Sequence, residues 1–174
     1  MSPPDPDAKD DHQAAPASGN PFRVIELTLD EPVRVHRNAD IEHERRVAIY
    51  DLIEENHFAP AGSLGGPYRL RLGITENRLA FDVALSDGTS HGKVLLSLTP
   101  FRRIVKDYFL MCESYYQAIK TQPPSRIEAI DVGRRGLHDE GSRLLMERLR
   151  GKINVDIATA RRLFTLLCAL HWKG

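Results

Sequence analysis

The chain has 174 residues, of which 41% are hydrophobic and 28% charged, and its 24 basic side chains balance 24 acidic ones. That is enough for one cored domain, and it excludes a collagen, a disulfide scaffold and a wholly disordered chain. The two cysteines, Cys112 and Cys168, sit among apolar neighbours and predict a reduced, cytoplasmic setting. No run is long enough to cross a bilayer and the N-terminus lacks a signal-peptide pattern, so no membrane partner is expected.

The neutral total hides an uneven distribution. Residues 22–99 carry nine basic and twelve acidic side chains, whereas residues 100–174 carry 14 and 8. A basic C-terminal half suits an acidic partner, although such an excess is also an ordinary solubility device. Residues 1–21 hold five of the eleven prolines among small and polar neighbours and predict a disordered tail. Residues 22–174 then form a single domain.

Val24 to Leu29 reads as a strand ended by Asp30, Glu31 and Pro32. Asp40 caps a helix to about Asn56 whose apolar face carries Ile41, Ala48, Ile49, Leu52 and Ile53. After a glycine-rich loop at 62–67 the period changes to alternation: Tyr68, Leu70, Leu72 and Ile74, then Leu79, Phe81, Val83 and Leu85 past a turn at Glu76-Asn77. Asp87-Gly88 marks another hairpin, leading to Val94, Leu96 and Leu98. The fold class expected is α+β, an antiparallel sheet of about four strands covered by a helical C-terminal half.

In that half, Thr99-Pro100 opens a helix with Phe101, Ile104, Val105, Tyr108, Cys112, Tyr115 and Ile119 in step, broad enough to be central and buried on most sides. Pro123-Pro124 ends it. Ser125 and Glu128 form a capping box for a short helix, a Gly133-Arg134-Arg135-Gly136 turn follows, and Asp139 caps the next helix through Leu149. Ile153 to Val155 is an edge strand or a linker, and Asp156 caps a last helix through Leu170.

The stretches Ile41 to Arg45, Phe101 to Phe109, Cys112 to Tyr116, Gly133 to Gly136 and Thr159 to Phe164 closely resemble an uncharacterised alphaproteobacterial family, number two hundred and sixty-two of the UPF series. The resemblance covers residues 23–174 and implies no activity.

The most suggestive segment is Gly133 to Gly141. Two glycines, two guanidinium forks and a following helix N-terminus would together seat an anion, with Arg134, Arg135 and His138 as ligands. The competing reading is a turn whose arginines pair with nearby acids. Arg102, Arg103 and Lys106 lie in the first turns of their helix, against the dipole preference, which calls for an anion or a protein carboxylate beside them. Arginine pairs also occur at 45–46 and 161–162. His43, His57, His91 and His171 have no nucleophile placed beside them by sequence, Cys112 and Cys168 read as packed thiols, and neither a metal site nor a cofactor is expected.

These features favour a non-catalytic binding or regulatory protein that receives an acidic protein or a small anion. The alternative is an enzyme acting on a small anionic metabolite through Arg134, Arg135 and His138, with Glu140 as base. Sequence-specific nucleic-acid binding ranks third. A deep pocket holding polar groups of shifted pKa would support the enzyme, and a shallow basic surface the binder.

Overall fold

The computed structural model describes residues 20–31 and 38–171; the expected tail lies outside the described residues except for Asn20 and Pro21. The Pro21 carbonyl accepts a hydrogen bond from Gly66 N at 2.7 Å, which ties the residues just ahead of the first strand to the glycine-rich loop.

The elements follow in the order β1 (Val24–Asp30), α1 (Ala39–Glu54), β2 (Phe58–Pro60), β3 (Tyr68–Thr75), β4 (Arg78–Leu85), β5 (Ser90–Ser97), α2 (Arg102–Thr121), α3 (Pro124–Leu149), β6 (Ile153–Val155) and α4 (Ile157–His171). The fold is α+β with a four-stranded sheet, β1-β3-β4-β5. Strands β3, β4 and β5 form the antiparallel meander that alternation predicts. Glu76 and Asn77 both take positive φ, as a tight two-residue hairpin requires. The sheet is nonetheless mixed, because β1 lies parallel to β3. The chain between them contains α1, and parallel neighbours need a crossover of that kind. Strands β2 and β6 pair in a separate two-stranded sheet, which makes Ile153–Val155 a strand.

Several expected helix boundaries are corrected. Asn38, not Asp40, caps α1, its side chain accepting from Asp40 N at 2.8 Å. Thr99–Phe101 is a 3-10 turn without a side-chain cap. The Ser125 capping box does not form, since Pro123 is the cap residue of α3. Asp156 does cap α4, accepting from Thr159 N at 2.9 Å.

The largest correction concerns residues 124–149, which form one 26-residue helix with neither a turn at Gly133–Gly136 nor a new N-terminus at Asp139. Glycine costs a helix interior about 1 kcal/mol relative to alanine. Two of the three glycines here allow close packing instead: a Cβ at Gly133 would meet the Met111 methyl, and one at Gly141 would strike the Phe164 ring. Close approach to α2 and α4 therefore compensates for the intrinsic penalty.

The central helix is α4. It buries Ala160, Leu163, Phe164, Leu166, Leu167 and Cys168 and touches α1, α3 and β3. Helix α2, expected to hold that position, leaves Leu110 53% and Ile119 50% exposed. Its buried face of Val105, Tyr108 and Cys112 joins the core formed by Leu70, Leu72, Phe81 and Leu96 of the sheet.

Candidate functional site

Two grooves flank a shared wall made by Glu44 of α1 and Tyr108 of α2. The wall is tied together at its polar atoms. Tyr116 donates its hydroxyl proton to Glu44 Oε1 at 2.8 Å, and Arg134 Nη1 lies 3.5 Å from the same oxygen. Arg134 also donates to Asp131 Oδ1 from Nε and Nη2, at 3.1 and 2.6 Å, and its guanidinium lies 4.4 Å above the Tyr115 ring. Burial works against the charge of Arg134, but the Asp131 hydrogen bonds and the groups around it outweigh that and raise its pKa. One side chain thus joins α1, α2 and α3.

The groove between α1, α3 and α4 has a volume of about 1050 Å³. It gathers Arg134, Arg135 and His138 as the sequence expects, and adds His43, Arg161 and Arg162. Its arginines are answered from within the fold. Arg135 meets Asp131 at 3.1 Å, Arg161 meets Asp139 at 3.1 Å and Arg162 meets Asp51 at 3.8 Å. Hydrogen bonds from Arg143 and then Arg161 hold the Asp139 carboxyl below its ordinary value, and Arg134 does the same for Asp131. The pairing follows from helical spacing, since Asp131 lies three and four residues before Arg134 and Arg135 on α3.

His138 is a packed group in that wall. Its Nε2 lies 2.8 Å from Thr165 Oγ1 and its Nδ1 3.4 Å from Ser142 Oγ, while its ring meets Tyr108 and Phe164 edge to face. The Ser142 hydroxyl donates to the His138 carbonyl at 2.7 Å, and the Thr165 hydroxyl donates to the Arg161 carbonyl at 3.2 Å. The shorter ring contact therefore fits an Nε2–H donating to Thr165, and a neutral ring. Burial, then Arg134, Arg161 and Arg162, lower its pKa to about 4.

The second groove, about 710 Å³, runs along α2 between the start of α1 and the end of α4. Arg102, Lys106 and Lys120 line it beside Val105, Leu110 and Ile41. Among the described residues, no carboxylate lies within ion-pairing distance of these three cations. Arg103, one residue from Arg102, points elsewhere: its side chain is 93% exposed and, among the described residues, reaches only Asp107, at 3.8 Å. The five expected ligands are thus divided, with Arg134, Arg135 and His138 in one groove, Arg102 in the other and Arg103 in neither. Glu140 is exposed and lines neither. The sequence marks Lys120 only through the spacing 102, 106, 113, 117, 120, which places it on the same face of α2.

Cys112 and Cys168 are buried and unpaired with each other. Burial pushes the Cys112 thiol up to about 11 and the Cys168 thiol well above its ordinary value, so neither is a ready nucleophile at neutral pH. Among the described residues no three His, Cys, Asp or Glu side chains are placed to hold a metal ion, and no helix is long and apolar enough to cross a membrane.

The family described as "Uncharacterised protein family (UPF0262)" matches residues 21–173. A UPF0262 protein of Nitrobacter winogradskyi is 62% identical over 152 residues, covering 87% of this chain and 91% of the relative. One from Bradyrhizobium sp. strain ORS 278 is 60% identical over 163 residues, covering 93% and 97%. A third, from Rhodopseudomonas palustris strain TIE-1, is 62% identical over 152 residues, covering 87% and 93%. No solved structure matches the chain.

Proposed function

This chain belongs to the UPF0262 family, and from its own side chains we propose that it is a non-catalytic binding protein whose α2 groove receives an anionic ligand. One observation carries the reading. Arg102 and Lys106 line a concave surface with no carboxylate partner among the described residues, while the arginines on the other side of the Glu44 wall are paired internally. Both cations sit in the first turns of α2, where the helix dipole opposes them, and a bound anion relieves that opposition. The volume falls within the usual range for small-molecule sites, about 300–1000 Å³.

Groups of shifted pKa do line the grooves, and that feature on its own speaks for an enzyme. Their directions speak against it: Cys112 rises, His138 falls to about 4, and the Tyr108 and Tyr116 hydroxyls rise, each mainly through burial. Packing of this kind moves each group away from the protonation state that acid–base work at neutral pH requires.

Thermal unfolding in phosphate, sulfate and acetate at fixed ionic strength tests the proposal. A ligand at 100 times its Kd stabilises by about 2.7 kcal/mol. The increment is expected to vanish in Arg102→Ala/Lys106→Ala and to persist in Arg162→Ala. Loss in Arg162→Ala with retention in the α2 variant would move the site to the groove between α1, α3 and α4.

A further inference from the structure

The distribution of charge along the α2 groove names a ligand class, an inference that rests on reading this groove as an anion site. Arg102, Lys106, Phe109, Glu113, Gln117 and Lys120 succeed one another at spacings of three or four residues. The groove therefore follows one face of α2 for about 27 Å. Its ends are unlike. Arg102 and Lys106, one helical turn apart, form the N-terminal end with no acid partner among the described residues. The acids come later: Glu113, and then Glu44 with Asp40 one turn before it on α1, Glu44 being fixed by Tyr116 at a point about 21 Å beyond Arg102, and Lys120 closes the face beyond them.

The rest of the wall includes apolar side chains. Val105 and Ile41 are buried there, and Leu110 is half exposed, a large aliphatic side chain open to water beside two unpartnered cations. An inorganic anion would use the cations and leave this wall wet. An extended polyanion would meet Glu113 and Glu44 at its far end, and a cationic amphipath would meet Arg102 and Lys106 at its head. We propose that the α2 groove binds an extended amphipathic anion, with a carboxylate or phosphate head at Arg102 and Lys106 and an unbranched apolar body along Val105, Leu110 and Ile41. A pair of cations followed by apolar side chains, with three carboxylates against one lysine beyond, then matches a ligand with one anionic head and an uncharged body.

Calorimetric titration of the full chain with alkyl carboxylates from hexanoate to decanoate, below their micellar concentrations and at fixed ionic strength, tests this. Inorganic phosphate and decyltrimethylammonium serve as comparison ligands. Saturable one-to-one binding is expected, tightening by about fourfold per methylene while the groove fills. Arg102→Gln/Lys106→Met, which keeps much of the apolar stems, should weaken decanoate at least tenfold, and Leu110→Ser should weaken it three- to tenfold. Both variants change exposed side chains, and circular dichroism confirms that they fold. Phosphate binding that depends on Arg102 with no gain from chain length would overturn the amphipath and leave the anion reading standing. Failure of every anion to bind in an Arg102- and Lys106-dependent way would overturn both. Equal affinity for decyltrimethylammonium would show apolar adsorption and overturn the assignment of the head.

Discussion

In the groove between α1, α3 and α4, Arg134, Arg135, Arg161 and Arg162 each meet a carboxylate of the fold; along α2, across the Glu44 and Tyr108 wall, Arg102, Lys106 and Lys120 meet none among the described residues. The first groove has the greater density of guanidinium groups and the second has the available charge. Arginine density is thus a poor guide to an anion site, because a planar fork recruits carboxylates as readily from its own helix as from a ligand. For the α3 arginines the difference is the residue one turn away, while Arg161 and Arg162 find their acids on α3 and α1. Asp131 precedes Arg134 and Arg135 at helical spacing, whereas Arg102 has Lys106 there.

The most demanding test of the paired groove is its response to acid. His138 titrates at about 4 in the folded protein against 6.5 unfolded, so the unfolded chain binds more protons between those values. Stability contributed by this group is full above pH 6.5 and falls as pH drops toward 4, by at most about 3 kcal/mol. His138→Gln should flatten that limb of the stability curve. Asp131 and Asp139, held low by Arg134 and by Arg143 with Arg161, add a further loss at still lower pH. An imidazole resonance for His138 that titrates near 6.5 would show a wet groove whose arginines are solvated, and the contrast between the two regions would fail.

A second test sets one arginine against a pair of cations. Arg134→Ala removes the link among α1, α2 and α3, leaves Asp131 with Arg135 alone and Glu44 with Tyr116 alone among the described residues, and uncovers the Tyr115 ring. Charged hydrogen bonds and a partly desolvated cation–π contact of this kind put the loss at about 2–3 kcal/mol. Arg102→Ala/Lys106→Ala breaks no ion pair among the described residues and should change stability by no more than about 0.5 kcal/mol without ligand. Urea unfolding of the two variants measures both. Comparable losses would mean that the α2 cations are structural after all.

Alternation and turn chemistry carried the meander β3-β4-β5, because a sheet with one wet face writes its period directly into the sequence. The direction of β1 was not legible, since a single edge strand reads the same in parallel and antiparallel pairing. Helix α3 was misread for a definite reason. Gly133, Arg134, Arg135 and Gly136 have the composition of a turn, and the contacts that make two of the glycines useful in a helix, Met111 and Phe164, lie on other elements. That error carried over to the site: once the segment is helical, Asp131 falls one turn from both arginines, and the anion seat becomes an ion-pair network.

The glycines of α3 provide the last and smallest test, and they check the geometry on which the pairing depends. Gly141→Ala would place a methyl against the Phe164 ring, which is fully buried on the central helix and has little room to yield. Overpacking of that sort costs about 1–3 kcal/mol, exceeding the gain of about 1 kcal/mol that alanine brings to a helix. At Gly136 a Cβ would meet nothing within 4 Å, so the helical preference acts alone. Gly136→Ala should therefore stabilise the protein by about 0.5–1 kcal/mol. In a turn that needed a left-handed glycine at this position the sign would be reversed, because a Cβ is strained there. A lower melting temperature for Gly136→Ala would restore the turn, detach Asp131 from its register with Arg134 and Arg135, and return those two arginines to the set of groups free to take an anion.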